Sequence, residues 1–480
     1  MTEAPAPTQA RTPATLDPTQ RRSRPRRSPT ELTFAVDEAL VAGWAADEPA
    51  WLADDRRAAL ARYRDLPLES NRLYTPYVDV RAADLAGVTA YGETAAMPHG
   101  DDNLPDGVAG LAELREDGIA TIALDGAARA AGVTLETLGS LIRRDPEAAR
   151  RLIADPASLP ADDKLAQLTR ASWNQGIAVR VPAGVRLDRP IAIRWQSGAP
   201  GRALLTRTVV ELGDGAAATC VEELAPSGPE IACAAGETVP QALFTGSLEV
   251  RLGRGSDLAV ASLQELGPRS IVFQHRDAVI GDDASLRWAL AHLGARLVRS
   301  RVDNRLVGDR STVEQVEIVF GSDDQLFDLT SYTRHTGRDT TGQLLSKGAL
   351  LDRARSYMKG LIVIERTAIG TDSYLGEFGM NLSKATRAVA IPSLEIDQPD
   401  CRRAAHASSV GPIDEAQVFY LRTRGIPEDE ARKFIVLGFL EPVVTRVPLA
   451  SAQDRLRELL EAKWDAGAGS GAAPASGAAA

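Results

Sequence analysis

Apolar residues change their period twice along this chain. From residue 31 to about 175 they recur every three to four positions, the spacing of helices with one buried side. In DEPAWLADDRRAALARYRDLPL, the residues Trp51, Leu52, Leu60 and Tyr63 fall on one stripe. TLETLGSLIRRDPEAARRLIADP repeats the style, with Pro146 opening a new helix after Asp145. DDKLAQLTRASWNQG closes the region, with Gly176 as the stop residue. The expectation is a mostly helical region over 31–175.

From GIAVRVPAGVRLDRPIAIRW onward the period drops to two, in short bursts such as Ile177-Val179-Val181 and Ile191-Ile193-Trp195. These read as strands of about five residues with turns between them. One turn recurs: LGDGAA at 212, LGRGSD at 252, IGDDAS at 280, VGDRST at 307 and FGSDDQ at 320. Several spacings lie near 27 residues, one is nearer 40, and the last is about half the common value. Short strands, regular glycine turns and no long helices suit a solenoid, in which each rung completes its core by stacking on the next. A parallel β-helix over 176–410 satisfies the pattern, and a β-sandwich shares its local signal. The strand-rich texture runs to about Ile396.

The last region, 411–465, is helical again. Asp414 caps a helix beginning at Glu415, with Gln417 three residues on, and the helix stops at Gly425. Pro427 suits a first helical position, and Glu428, Asp429 and Glu430 favour the positive end of the next helix dipole. ARKFIVLG closes that helix at Gly438. A final helix, SAQDRLRELLEAKW, carries Leu456, Leu459, Leu460 and Trp464. The fold class is therefore mainly β with helical ends.

Composition narrows the function. A formal charge of −10 argues against a general nucleic-acid binder, and no apolar run approaches the ~20 residues that span a bilayer. The three cysteines, Cys220, Cys233 and Cys401, form no CxxC pair and no zinc-finger spacing, which fits a reducing, cytoplasmic setting. RRSRPRRSPTELTF carries paired arginines, but the carboxylates of AVDEALVAGWAADEPAW replace the apolar stretch an export signal needs. A disordered basic arm over 1–30 and a disordered Gly/Ala/Ser tail over 466–480 are expected. There is no GxxxxGK[ST], no GxGxxG after a strand, no GxSxG and no HExxH. Any ATP chemistry must come from another chain.

His406 stands out, flanked by Ala404, Ala405, Ala407, Ser408 and Ser409. Small neighbours let another backbone approach, and imidazole is a ready metal ligand or proton carrier; a local hydrogen-bonding role at a domain joint gives the same sequence. Cys401 is a candidate soft ligand, but five extended residues at ~3.3 Å each separate the two by over 15 Å. Cys220 and Cys233 read as small core residues. Glu314 and Glu317 read as solvent-facing positions between buried Val313, Val316 and Ile318; a glycosidase-like acid pair is the functional alternative.

The segments DKLAQLTRASWNQGIAVRVPAGVRLDRPIAI, SKGALLDRARSYMKGLIVIERTAIGTDSY, IPSLEID and HASSVGPIDEAQVFYLRTRGIPEDEARKFIVLGF, in that order, resemble the SufB/SufD family of SUF iron–sulfur cluster assembly scaffolds. EPAWLADDRRAALARYRDLPLESNRLYTPY is similar to that family's N-terminal segment, so the resemblance runs from about residue 45 to 450. It implies a right-handed parallel β-helix between helical ends. It further implies pairing with a SufB-like subunit and docking of a SufC-like ABC ATPase on the C-terminal helices, through Phe419, Tyr420, Arg424, Phe434 and Phe439. SufB-like chains carry a cysteine upstream of IPSLEI, where this chain has Thr386 and Ala388; AAHASSVG is SufD-like. The resemblance thus makes His406 an interface ligand for a transient iron–sulfur cluster, with no cofactor held stably by the chain alone and flavin binding undecided. Ala404 stands where SufD-like chains often have a cysteine, and Cys401 is out of register with it. The implied role is a non-catalytic scaffold; the rivals are a SufB-like primary scaffold, a purely structural partner and a β-helix carbohydrate-active enzyme.

Overall fold

A computed structural model describes residues 27–45, 48–91, 96–98, 104–116, 120–154, 159–228 and 239–470. The N-terminal part contains, in order, α1 (Glu38–Ala45), α2 (Ala50–Asp65), β1 (Thr89–Ala90), β2 (Ala96–Pro98), β3 (Gly110–Arg115), β4 (Ala120–Leu124), α3 (Gly126–Ala130), β5 (Thr134–Thr137), α4 (Leu138–Arg144), α5 (Pro146–Ile153) and α6 (Lys164–Ser172). Its helices begin where side chains satisfy free backbone N–H groups: Asp145 accepts from Ala148 N at 2.9 Å with Pro146 behind it, and Asp163 accepts from Leu165 N and Ala166 N. The region is less helical than its spacing predicts, because strands from it complete the sheets of the neighbouring solenoid. Gly176 is not a helix stop. It lies in the strand after α6, where an added Cβ would stand 2.8 Å from the Arg207 carbonyl oxygen.

Eight rungs follow, each made of two strands. The pairs are β6 (Gln175–Val181) with β7 (Ile191–Ser197), β8 (Arg202–Leu212) with β9 (Ala217–Pro226), β10 (Ala242–Leu252) with β11 (Asp257–Gln264), and β12 (Ser270–Ile280) with β13 (Ser285–His292). Then come β14 (Leu297–Leu306) with β15 (Thr312–Gly321), β16 (Leu326–His335) with β17 (Thr341–Leu350), β18 (Arg355–Ile364) with β19 (Asp372–Asn381), and β20 (Arg387–Ile396) with β21 (Arg403–Pro412). Even-numbered strands stack in parallel into one sheet and odd-numbered strands into the other, which makes a parallel β-helix. Alternate residues point inward, and Val179, Ile193, Leu204, Val250, Leu258, Val272, Val298 and Phe327 share one continuous core. The strand texture thus extends one strand past Ile396, to Pro412.

The recurring glycine turn is explained by this stacking. Gly253, Gly281, Gly308 and Gly337 lie at one edge, each against the turn of the rung before; a Cβ on Gly308 would collide with Asp282 N, and one on Gly337 with the Gly308 carbonyl. Aspartates tie successive turns together: Asp282 Oδ1 accepts from Asp309 N at 2.9 Å and Asp309 Oδ1 from Arg338 N at 2.8 Å. FGSDDQ follows at half the common spacing because it belongs to the opposite edge of the same rung, where Asp323 N donates to Asp352 at 2.9 Å. The wide spacing between LGDGAA and LGRGSD reflects a longer connection, between β9 and β10.

Both outer faces are covered. The first sheet is overlaid by α2, α6 and the segment after α2, so that Leu60, Tyr63, Leu165 and Leu168 pack against Leu205, Leu243, Ile271 and Phe273. Three C-terminal helices follow the solenoid: α7 (Glu415–Thr423), α8 (Glu428–Val444) and α9 (Ala450–Ser470). They fold back along the second sheet, where Val436, Leu440, Leu456, Leu460 and Trp464 meet Ala261, Ala289, Ala291, Val316 and Ile318. Gly438 does not end α8, which continues through Pro442 to Val444 because its apolar face is still on the sheet. Residues 466–470 of the expected tail belong to α9; residues 471–480 of that tail and 1–26 of the expected basic arm lie outside the described residues.

Candidate functional site at the open end of the solenoid

The two ends of the β-helix differ. At the first rung β5 pairs antiparallel with β6, and β3 pairs with β7 and carries β4, so both sheets are extended beyond the solenoid. At the last rung the two sheets end at β20 and β21. Among the described residues no strand pairs with their outer backbone edges. Exposure follows: β19 alternates buried and half-buried residues, whereas β21 is exposed or half-buried throughout. Ile396 on β20 and Val410 on β21 are 46% and 39% exposed, large apolar residues that a ninth rung would cover. Pro392 in β20 fits this end position, since proline belongs at a sheet edge.

His406 sits in the middle of β21, paired in register with Leu375. Leu375 is inward-facing and 1% exposed, so His406 occupies the inner-face position of the last rung and is exposed because no rung follows. The small residues around it, Ala405 and Ala407, keep the surface low. Cys401 lies before β21 begins and, half-buried, packs with Leu394 and Ala404 against Leu344, Ile362 and Leu375. The sequence-based separation of the two therefore corresponds to different places: Cys401 at a rung corner, His406 at mid-strand. Cys220 points into the core from β9 and is fully enclosed, and burial pushes its thiol up to about 12, which keeps it protonated and a poor ligand. Cys233 lies outside the described residues. Among the described residues, no group of three or more His, Cys, Asp or Glu side chains is placed to hold a metal ion.

Glu377, one rung behind the open end, escaped the sequence reading. It is 2% exposed, and its Oε2 accepts the N–H of Ile391 on β20 at 2.9 Å. Burial pushes its carboxyl up to about 8, with the Glu317 charge adding to the rise. Its signal in the sequence is a charged residue at an inward position of LGEFGMN. The solvent-facing assignment of Glu317 is overturned for a related reason. Helices cover the outer face, so Val316 and Ile318 point outward into them, and Glu317 points inward. There it meets His292 Nε2 at 3.1 Å and Ser346 Oγ at 3.3 Å. Glu314 is on the outside, 3.7 Å from Arg446.

The C-terminal helices present a second exposed feature. Phe419, Tyr420 and Phe434 are 67%, 57% and 60% exposed, although each belongs to a helix whose other side is buried. Asp414 caps α7 by accepting from Ala416 N at 2.9 Å, and Gly425 leaves it at φ +88. Arg424 stands over the Tyr420 ring at 5.2 Å and extends the same surface. Phe439 does not. It is half-buried against the sheet, with the Lys347 ammonium 4.6 Å from its ring centre and 2.7 Å from its carbonyl oxygen.

A family profile described as the SufBD core domain of SUF-system FeS cluster assembly matches residues 194–439, more than half of the chain. The chain belongs to the SufBD family. The matched span runs from β7 into α8 and so contains the open rung and the exposed aromatic residues. Among similar proteins, the iron–sulfur cluster assembly protein SufD of Bacillus subtilis is 26% identical over 436 residues, covering 87% of this chain and 94% of the relative. A SufBD family protein of Mycobacterium tuberculosis is 28% identical over 353 residues, 70% of this chain and 83% of its own length. One from Staphylococcus epidermidis is 22% identical over 429 residues, 86% and 89% of the two chains. Within this SufBD chain, no helix among the described residues is long and apolar enough to cross a membrane.

Proposed function

We propose that this SufBD chain is a SufD-like, non-catalytic scaffold subunit that acts in the cytoplasm. In this reading the free edges of β20 and β21 pair with a SufB-like subunit, and a nascent iron–sulfur cluster is the cargo of that interface. The observation that carries the reading is the last rung: two unpaired strand edges, exposed Ile396 and Val410, and an exposed imidazole on the inner-face position. His406 then offers one nitrogen to iron, while the thiolates come from the partner, since Cys401 lies half-buried outside β21 and Cys220 is enclosed. A SufC-like ATPase docks on the aromatic surface of Phe419, Tyr420 and Phe434. That arrangement accords with a sequence that has no phosphate-binding loop of its own.

Co-expression with SufB-like and SufC-like subunits tests this. The purified complex with His406→Ala should assemble as wild type does and lose more than half of its iron and acid-labile sulfide. Unchanged iron and sulfide in an intact complex would remove His406 as a ligand. A paired change, Ile396→Asp with Val410→Asp, should abolish association with the SufB-like subunit; an unchanged elution profile would move the interface elsewhere.

A further inference from the structure

The two strands of the last rung do not offer a partner the same edge. In a parallel sheet the amides of alternate residues point to opposite neighbours. On β20, Arg387 N donates back to the Ala354 carbonyl, and Asp397 N, just past the strand, donates to that of Ile364. The odd-numbered residues therefore face β18. The outward positions belong to Ala388, Ala390, Pro392, Leu394 and Ile396. Pro392, in the middle of that row, has no N–H to give. Ala388 N is already taken by the Asn381 side-chain oxygen at 3.1 Å. Next to the gap, the N–H of Ile391 is held by Glu377 at 2.9 Å.

On β21, Arg403 N donates back to the Thr371 carbonyl, so the outward row is Ala404, His406, Ser408 and Val410. None of these is a proline, and every position carries an amide. The side chains of the same row lie on the inner face, as the register of His406 with the core residue Leu375 shows. On the inner face of β20, Ala388 and Ala390 border the core beside Pro392, so the wall that carries the broken row is also low.

We propose that the edge strand of a SufB-like partner continues the second sheet along β21 without a break, while Pro392 keeps the joint along β20 discontinuous, so that the interface is hinged at β21 and opens at β20. This rests on the partner assignment made above. Main-chain hydrogen bonds supply the affinity of strand addition, and the broken row gives β20 fewer of them. A partner carbonyl opposite Pro392 also finds no donor, and an orphaned polar group in a closed interface is costly. His406 stays on the paired side. The opposite wall opens with the fewest bonds broken, which gives access to the imidazole without separating the subunits.

Hydrogen–deuterium exchange on the co-purified complex with the SufB-like subunit, compared with the diluted chain alone, tests this. Complex formation should slow peptides covering 403–412 at least tenfold more than peptides covering 387–396. Pro392→Ala restores the missing donor. It should bring the slowing at β20 up to that at β21 and make dissociation at least threefold slower. Proline at an outward position of each strand gives a matched pair: Ser408→Pro should weaken association at least tenfold, and Ala390→Pro less than threefold. The exchange comparison needs no variant and decides the matter if a proline variant does not fold. Equal slowing of the two strands, greater slowing of β20, or a folded Pro392→Ala complex with unchanged exchange and dissociation would overturn the hinge and leave the partner in place. Failure to form any complex would overturn the partner assignment and the hinge with it.

Discussion

Glu377 illustrates how much a single inward residue can set. Its carboxyl titrates near 4.5 when the chain is unfolded and is pushed up to about 8 in the fold, chiefly by burial. Between those values the folded form holds a proton that the unfolded form has released. Stability is therefore full below about 4.5 and is lost as the pH rises through about 8. Glu377→Gln keeps an acceptor for Ile391 N–H and removes the charge. Thermal melts should show the variant equal to wild type near pH 5 and more stable by about 1–3 kcal/mol near pH 9. A difference that does not change with pH would assign the effect to packing. Gly308 works through space instead. With Asp282 N where its Cβ would be, Gly308→Ala must push two rungs apart, at a cost of about 2–4 kcal/mol, readable as a lower denaturant midpoint. The sequence showed this glycine as a repeat; why it must be glycine depends on its contact with the neighbouring rung.

Elements were legible in proportion to how local their causes are. The helix start at Pro146 and the cap at Asp414 were readable because the contacts that make them span two or three residues. The end of α8 was misread at Gly438, since its continuation depends on Val443 and Val444 finding the sheet. Likewise β5 reads as helix-linked sequence until β6 supplies an edge to pair with. The same dependence makes α9 sensitive to truncation. Leu460→Ala, at a 2% exposed position against the second sheet, should cost about 2–5 kcal/mol in chemical unfolding. The aromatic surface of α7 and α8 should behave oppositely. Phe419→Ser with Phe434→Ser is expected to leave stability within about 0.5 kcal/mol and, on the proposed function, to release a SufC-like ATPase in pull-down. Retained binding would place the partner on another face.

At the scale of the whole molecule the β-helix is asymmetric among the described residues, closed by N-terminal strands at one end and open at the other. A solenoid normally needs a polar cap at each end, so an uncapped end with apolar residues on it is unstable alone and useful only when paired. The isolated chain should accordingly self-associate through β20 and β21, and dilution monitored by light scattering should show dimers that Ile396→Asp with Val410→Asp dissociates. What the sequence determined by itself was the repeat, its turn residues, the helix starts at Pro146 and Asp414, and the ordered motifs that mark the family; strand length was not among them, since strands expected at about five residues run from 7 to 11. All of these rest on backbone geometry and short-range contacts. Tertiary structure alone decided which face of each strand is inside, because helices from both termini bury the outer faces and erase the polar–apolar alternation that would have revealed it. For that reason Glu317 and Glu377 are core residues, Phe439 is half-covered, and Gln175 lies buried.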